Sequence, residues 1–335
     1  MSSTYGREQE PHIASRSTSQ SAPAAGPLEI FRLLADGAQA GRRGVLATIV
    51  ALTGTGARAV GTHMAVLDDG ASAGSFSSGC VEAAIVAEAR DVLREGCPRT
   101  VRFGQGSPYL DIRLPCGGGM DVLFLPDPPL AVLDEADALF ERRIPFILSA
   151  DDRFGLAVTP SPDRVSSTAE GAGAFAVRHV PPLKLVLLGH GAEMLAALRL
   201  GLAHGAQMEA ASPEAEIVAA AAAAGVAATQ LRSPGGNFAL RADRWTALLF
   251  LFHDHDWEPD LLARALDTPA FWIGAMGSPT TQAARRAALA ARCIEPRAID
   301  RIRGPVGLIP SSRDPATLAL SAFAEIVGAY QAAIG

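Results

Sequence analysis

Two glycine- and serine-rich stretches place thiols where thiols can react. The first, Gly74-Ser75-Phe76-Ser77-Ser78-Gly79-Cys80-Val81-Glu82, runs small residues into a helix-forming segment. Val81, Ile85, Ala89 and Val92 recur at helical spacing and Gly96 ends the run. This predicts a helix with Ser78 or Gly79 as N-cap and Glu82 against the positive end of its dipole. A thiol in that first turn has backbone N–H groups nearby and ionises more readily than a free cysteine. Cys80 is therefore a candidate metal ligand, sulfur carrier or nucleophile, against the plainer reading of a small buried residue. The second stretch is Leu114-Pro115-Cys116-Gly117-Gly118-Gly119-Met120-Asp121. Its three glycines let backbone approach a ligand closely, although an ordinary turn has the same composition. Cys97 and Cys293 lie among helix-end residues and receive no role.

A third stretch suggests phosphate binding. The apolar strand Leu183–Leu188 leads through Gly189-His190-Gly191 into a helix that runs to His204. This strand–GxG–helix unit resembles a Rossmann fingerprint, whose glycines admit a phosphate to the helix N-terminus. Met194 stands at the third glycine position, and the next strand ends in Ser212 where an acidic residue would hold a ribose; Glu209 lies too early. Both departures speak against tight NAD(P) binding. His253-Asp254-His255-Asp256 has metal-ligand residue types at a strand's carboxyl end, but adjacent side chains point different ways. At most two could share an ion, and polar caps are the competing reading. No Ser-His-Asp, HExxH or GxxxxGK pattern is present.

The elements that must hold these residues fall into two halves of an α/β chain. Residues 1–27, rich in Ser, Ala, Pro, Gln and Glu, read as a disordered tail. Residues 28–180 form a first domain that carries both cysteine stretches. It has a helix over Leu28–Ala40 and strands at Val45–Leu52, Thr62–Leu67, Thr100–Phe103, Tyr109–Leu114 and Val122–Leu125. A helix over Leu130–Arg143, strands at Phe146–Leu148 and Phe154–Val158 and a polar loop at Ser161–Gly173 complete it. Pro181-Pro182 is a linker, and residues 183–335 alternate strands and helices as a Rossmann-like, doubly wound parallel sheet does. Further strands are expected at Gln207–Ala211, Ala247–Phe252 and Ala270–Ile273. Helices are expected from Pro213, over Glu258–Leu266 and from Asp314-Pro315. The net charge of −6 disfavours nucleic acid as a partner. Four cysteines without CxxC spacing read as thiols in a reducing compartment. No apolar run is read as membrane-spanning and no signal core is evident, so a cytoplasmic protein is expected.

Together these pieces resemble the XdhC/CoxI family of accessory proteins for molybdenum hydroxylases. The resemblance rests on Gly74–Glu82, Cys116-Gly117-Gly118 with Asp121, and the His253-Asp254 strand end. It also includes Trp272-Ile273-Gly274-Ala275-Met276-Gly277-Ser278 and Gly304-Pro305-Val306-Gly307-Leu308 ahead of Ala324-Glu325-Ile326. It implies an N-terminal XdhC/CoxI domain and a C-terminal Rossmann domain in a protein that binds molybdenum cofactor (molybdopterin). Such a protein supports the cofactor's sulfuration with a cysteine desulfurase and hands it to a xanthine dehydrogenase-like apo-hydroxylase. On this reading the chain is a maturation chaperone rather than a turnover enzyme. Cys80 and Cys116 would contact molybdenum or relay sulfur. Ser78, Gly79, Glu82, Gly117, Gly118, Gly189, His190, Gly191, Gly274 and Gly277 would surround the cofactor. A homodimer is expected. The chain departs from the family pattern at Ala192, Ser212, Pro279 and Ile309-Pro310-Ser311, all in the second half. An NAD(P)-dependent oxidoreductase and a non-catalytic partner-binding scaffold are the rival readings, with a cysteine-nucleophile enzyme behind them.

Overall fold

A computed structural model describes residues 26–54, 58–77, 81–107, 117–161, 168–170, 174–234, 236 and 238–334, leaving aside the side chains of 168–170 and of His255. The chain builds three sheets in succession. The first is antiparallel. Helix α1 (Pro27–Gln39) starts with Gly26 as N-cap and Pro27 at its first position, where a missing N–H costs nothing. It is followed by β1 (Gly44–Thr53), β2 (His63–Leu67), β3 (Ser72–Ala73), α2 (Glu82–Glu95), β4 (Arg99–Gly104) and β5 (Gly119–Pro126). The strands lie in the order β3-β2-β1-β5-β4. Strand β1 is apolar along nearly its whole length because both faces are covered. Leu46 and Val50 pack toward α1, while Val45, Ala47 and Ile49 pack toward α2.

Helix α3 (Leu130–Glu141) leads into a second antiparallel sheet of β6 (Phe146–Ala150), β7 (Leu156–Pro160), β8 (Thr168–Glu170) and β9 (Ala174–His179), ordered β7-β6-β9-β8. Phe146, Leu148, Phe175 and Val177 join Phe31, Leu46 and Leu139 in one core between the two sheets. The polar loop expected at Ser161–Gly173 thus contains β8, and β9 was not anticipated.

The third sheet is parallel throughout. It comprises β10 (Lys184–Gly189), α4 (Gly191–His204), β11 (Gln207–Ser212), α5 (Ala215–Ala223), β12 (Ala227–Gln230) and β13 (Thr246–Leu251). After a 3-10 turn (His255–Trp257) come α6 (Glu258–Leu266), β14 (Trp272–Ala275), α7 (Pro279–Ala290), α8 (Pro296–Ile299), β15 (Ile302–Arg303) and α9 (Pro315–Ile334). Its order is β12-β11-β10-β13-β14-β15. Leu185 and Leu187 face α4, α5 and α9, whereas Val186 and Leu188 face α6 and α7, so helices cover both sides as expected for a doubly wound fold. The strand order reverses between β10 and β13, the position at which such sheets open a crevice.

Three expectations change. Helix α2 begins at Glu82 with Val81 as N-cap, in place of the expected Ser78 or Gly79. Pro27, assigned to the tail, opens α1. Helix α9 is, by length and composition alone, long and apolar enough to cross a membrane, although no apolar run was read so. Its Ala319, Ala322, Phe323, Ile326 and Tyr330 are buried in the core shared with α4, as in a core helix. Residues 1–25 of the expected tail and the strand expected at 109–114 lie outside the described residues.

Polar contacts fasten the second sheet to the third. Arg143 pairs with Asp243 and donates to the Trp245 carbonyl at 3.3 Å. The Tyr330 hydroxyl donates to the Pro181 carbonyl.

Candidate functional site

The loop ahead of α2 is organised by one carboxylate. Glu82 Oε1 accepts from Ser75 Oγ at 2.7 Å, Phe76 N at 3.1 Å and Ser77 N at 2.8 Å; Oε2 accepts from Ser77 Oγ at 2.9 Å and Val81 N at 3.2 Å. Burial alone would raise the Glu82 pKa, but the bonds from Ser75 and Ser77 outweigh it and bring it down to about 2. Glu82 therefore folds the loop upon itself and sits at the positive end of α2 as anticipated. Gly74 has φ +94°, and a Cβ there would lie 2.7 Å from the His63 carbonyl oxygen, so the loop can lie against β2 only with glycine at this position. Ser78, Gly79 and Cys80 themselves lie outside the described residues.

The second cysteine loop returns to the same part of the fold. Cys116 is outside the described residues, but Gly117 is exposed and Gly118 buried immediately before β5. A Cβ on Gly54 would stand 3.4 Å from the Gly118 Cα, and Thr53 pairs with Gly119 across β1 and β5. Arg102 ties this corner together. It reaches Asp121 at 3.0 and 3.1 Å, Thr53 Oγ1 at 2.7 Å and the Gln105 carbonyl at 2.7 Å. Asp121, a motif residue without an assigned role, is thus a structural anchor. Phe76 and Val81 from the first loop pack in one cluster with Phe103 and Met120 beside the second, on the α2 face of the sheet. The flanks of both cysteine loops share one core.

Gly189, His190, Gly191 and Gly277 lie elsewhere, at the carboxyl edge of the parallel sheet. A Cβ on Gly189 would come within 2.4 Å of the Leu251 carbonyl oxygen, which explains the glycine where β10 leaves β13. His190 is the N-cap of α4. The α4 terminus already has anionic company. Glu214 Oε2 accepts from Gly191 N at 3.3 Å, Glu214 Oε1 stands 3.8 Å from His190 Nδ1, and Glu193 faces His253 at 3.3 Å. Ser212 is buried and its Oγ accepts from Glu214 N at 3.1 Å; Met194 is core. Asp254 accepts from Asp256 N at 3.1 Å, a local turn contact consistent with the capping reading. Among the described residues no group of three or more His, Cys, Asp or Glu side chains could hold a metal ion. Gly274 lies inside β14, where a Cβ would stand 2.2 Å from the Trp272 ring. Gly277 and Ser278, the N-cap of α7, line a cavity of about 800 Å³ together with His253, Gly307 and Arg313.

These two groups of residues do not meet along α4. Gly74 and Ser75 share a cavity with His204 and Gly205 at the carboxyl end of that helix, whereas Gly189 to Gly191 stand at its amino end. Fourteen residues separate them by roughly 20 Å at 1.5 Å per residue.

Beside the first loop lies a feature that residue-pattern reasoning missed. His63 on β2 and His179 on β9 are both buried, with their Nε2 atoms 3.2 Å apart and His63 Nδ1 2.8 Å from Thr48 Oγ1. Burial pushes the His63 pKa down to about 3; burial and the neighbouring imidazole hold His179 well below its usual value. Both stay neutral, and one ring nitrogen donates to the other. A histidine within an apolar strand, and another ending the alternating Ala174–His179, were the available signals.

Comparison with known proteins agrees with this architecture. Residues 38–104 match the model of the XdhC and CoxI family, and residues 185–326 match the XdhC Rossmann domain. The molybdenum cofactor insertion chaperone PaoD of Escherichia coli (strain K12) is 33% identical over 302 residues, which cover 89% of this chain and 86% of PaoD. A crystal structure described as a xanthine dehydrogenase from Bacillus halodurans superposes with a TM-score of 0.71 at 19% identity, covering 90% of this chain and 96% of that one. At that identity it supports the fold.

Proposed function

Because the chain belongs to the XdhC and CoxI family, we propose that it is a molybdenum cofactor chaperone that supports sulfuration of the cofactor and its insertion into a xanthine dehydrogenase-like hydroxylase. The observation that carries this reading is the shared core beneath the two cysteine loops. The flanks of Cys80 and Cys116 rise from one face of one sheet, each preorganised by an internal ion or hydrogen-bond network. Two cysteines in glycine-rich stretches whose flanks share a core supply the soft ligand type that suits a thiophilic metal carried as cargo. Glu82 acts here as a positioning residue for the Cys80 loop. The reading includes a cysteine desulfurase as sulfur source, a hydroxylase client, a homodimer and a cytoplasmic location. It also treats residues 28–180 and 183–335 as two working units.

Anaerobic binding of molybdenum cofactor to the wild type, Cys80→Ala and Cys116→Ala tests it. Stoichiometric binding that fails in either variant supports the site. Tight binding untouched by both changes moves the cargo away from these loops, and a wild type that binds none refutes the chaperone.

The rival, a nicotinamide-dependent oxidoreductase, is disfavoured by the Glu214 carboxylate at the Gly191 N–H, where a pyrophosphate would otherwise sit. Micromolar NAD(P) binding by calorimetry would revive it.

A further inference from the structure

A ligand seated at the Gly74–Glu82 loop needs a counter-charge for any phosphate it carries, and the Rossmann glycines stand at the far end of α4. Two arginines, Arg58 and Arg178, line a cleft that Gly74 and Ser75 of the loop help to wall. One chamber, of about 440 Å³, is bounded by Ile30, Val60, His63, Ser75 and Val177. A larger one, of about 1030 Å³, opens between the first sheet and the carboxyl end of α4, beside Gly74, His204 and Tyr330. Pro27, Arg58, Ser75, Arg178 and His179 line both, so the two chambers adjoin. Their volumes are those of small-molecule sites.

The charge along this cleft has one dominant sign. Arg58 and Arg178 line both chambers, and among the described lining residues Glu29, exposed at the rim, is the one carboxylate. Arg178 is held in place: Nη1 donates to the Ile334 carbonyl at 3.4 Å and its guanidinium lies 6.0 Å from the centre of the Trp245 ring. Arg58 is exposed and makes no ion pair with another described residue. Guanidinium groups recognise phosphate through paired, charge-assisted hydrogen bonds. The smaller chamber offers apolar walls and neutral imidazoles, an environment for a flat heterocycle rather than for a second charge.

We propose that this cleft is the binding site for a phosphate-bearing heterocycle, with the phosphate between Arg58 and Arg178 and the ring system in the chamber beside Ser75. The inference rests on the chaperone reading and gives its cargo a second anchor, independent of the thiols. On this assignment the parallel sheet contributes the carboxyl end of α4 as a wall, and its glycine turn takes no part in holding the phosphate.

The test uses the full chain, molybdenum cofactor released anaerobically from a denatured molybdoenzyme, and a pterin lacking phosphate as the second probe. Arg58→Glu and Arg178→Gln should each weaken cofactor binding by about tenfold or more, and Arg58→Lys should recover most of that loss. The phosphate-free pterin should bind wild type and variants alike. Because Arg178 also braces α9, the exposed Arg58 is the decisive position, with matched circular dichroism as the check on folding. Equal cofactor affinity in wild type and Arg58→Glu overturns the cleft and leaves the chaperone standing. A wild type that binds no cofactor overturns both. A phosphate-free pterin weakened as much as the cofactor would show that Arg58 does not read phosphate, which also overturns the proposal.

Discussion

Replacing Glu82 by Gln keeps the shape of the side chain and removes its charge, and the cost follows from the partners it leaves. With the amide nitrogen at the Oε1 position, the Phe76 and Ser77 N–H groups face a donor; with it at Oε2, the Val81 N–H does. The first orientation strips two backbone N–H groups of their acceptor; the second leaves Val81 N–H with Ser77 Oγ at 3.0 Å but replaces the charged acceptor by a neutral one throughout, and hydrogen bonds to a charged group contribute about 1.5–3 kcal/mol each. The depressed pKa gives an independent figure. A fall from 4.5 to about 2 corresponds, at 1.36 kcal/mol per unit, to at most ~3.4 kcal/mol. Glu82 is partly exposed, and solvent screening brings the expected loss to roughly 1–2 kcal/mol. The sign with pH is fixed by linkage. A carboxylate with a lowered folded pKa stabilises fully above 4.5, and the contribution fades as pH falls toward 2. Urea unfolding of wild type and Glu82→Gln at pH 7, 5 and 3.5 should therefore show a gap that is constant at the first two values and smaller at the third. Cofactor binding should drop in the same variant although both cysteines remain. A variant as stable as wild type at pH 7, or a gap unchanged at pH 3.5, would refute the claim that Glu82 organises the loop.

The buried imidazoles predict a second pH dependence. His63 and His179 titrate near 6.5 when unfolded and far lower when folded, so their stabilisation is complete above pH 6.5. Below it the loss is up to ~1.4 kcal/mol per pH unit for each ring. The unfolding midpoint should fall steeply from pH 6.5 to 5, and His179→Gln should roughly halve the slope; a flat profile in the wild type would contradict neutral burial. Gly74→Ala puts a Cβ 2.7 Å from the His63 carbonyl oxygen at φ +94°, and should cost ~2 kcal/mol or more by thermal melt while abolishing cofactor binding. Asp243→Ala strips the half-buried Arg143 of its partner and should destabilise by ~1–3 kcal/mol, read most directly as faster proteolysis around the 181–183 junction; unchanged proteolysis would show that this ion pair does not brace the junction.

The parallel sheet was legible because its central strands β10, β13 and β14 are short apolar runs bounded by a glycine or polar turn, and their alternation with helices dictates a doubly wound sheet. Strand β1 shows how the same signal misleads in detail. Val45–Leu52 reads like a strand of a parallel sheet, yet it pairs antiparallel on both sides, since helices on both faces demand apolar residues at odd and even positions alike. Strand β9 was overlooked although Phe175, Val177 and His179 alternate inward. Ending in Arg and His, it resembles a loop until His63 is found opposite. Short elements such as β12, α8 and β15 form because neighbours pair with or cover them, which a local window does not register. The cap of α2 failed for a physical reason too. Serine is the usual N-cap, but here a glutamate in the helix's first turn supplies the acceptor, reaching back to Ser75, Phe76 and Ser77, and the helix starts later.

That substitution of an internal carboxylate for an expected partner occurs twice and links the two halves of the molecule. Glu82 supplies its own loop with the anion that backbone N–H groups at a turn would otherwise seek from outside, and Glu214 does the same for Gly191 at the start of α4. In the first case the effect is to tie residues 75–77, ahead of the cysteine, to the first turn of α2. In the second it fills the position for which the Rossmann turn is otherwise suited. A parallel sheet so arranged offers rigidity: β10 and β13 hold α4 and α9, and the ends of those helices, through His204 and Tyr330, wall the cleft beside Ser75. The glycine turn at 189–191 is then retained by packing, because Gly189 alone lets β10 leave β13 without striking the Leu251 carbonyl. Gly189→Ala should accordingly unfold the second half whether or not any nucleotide binds there.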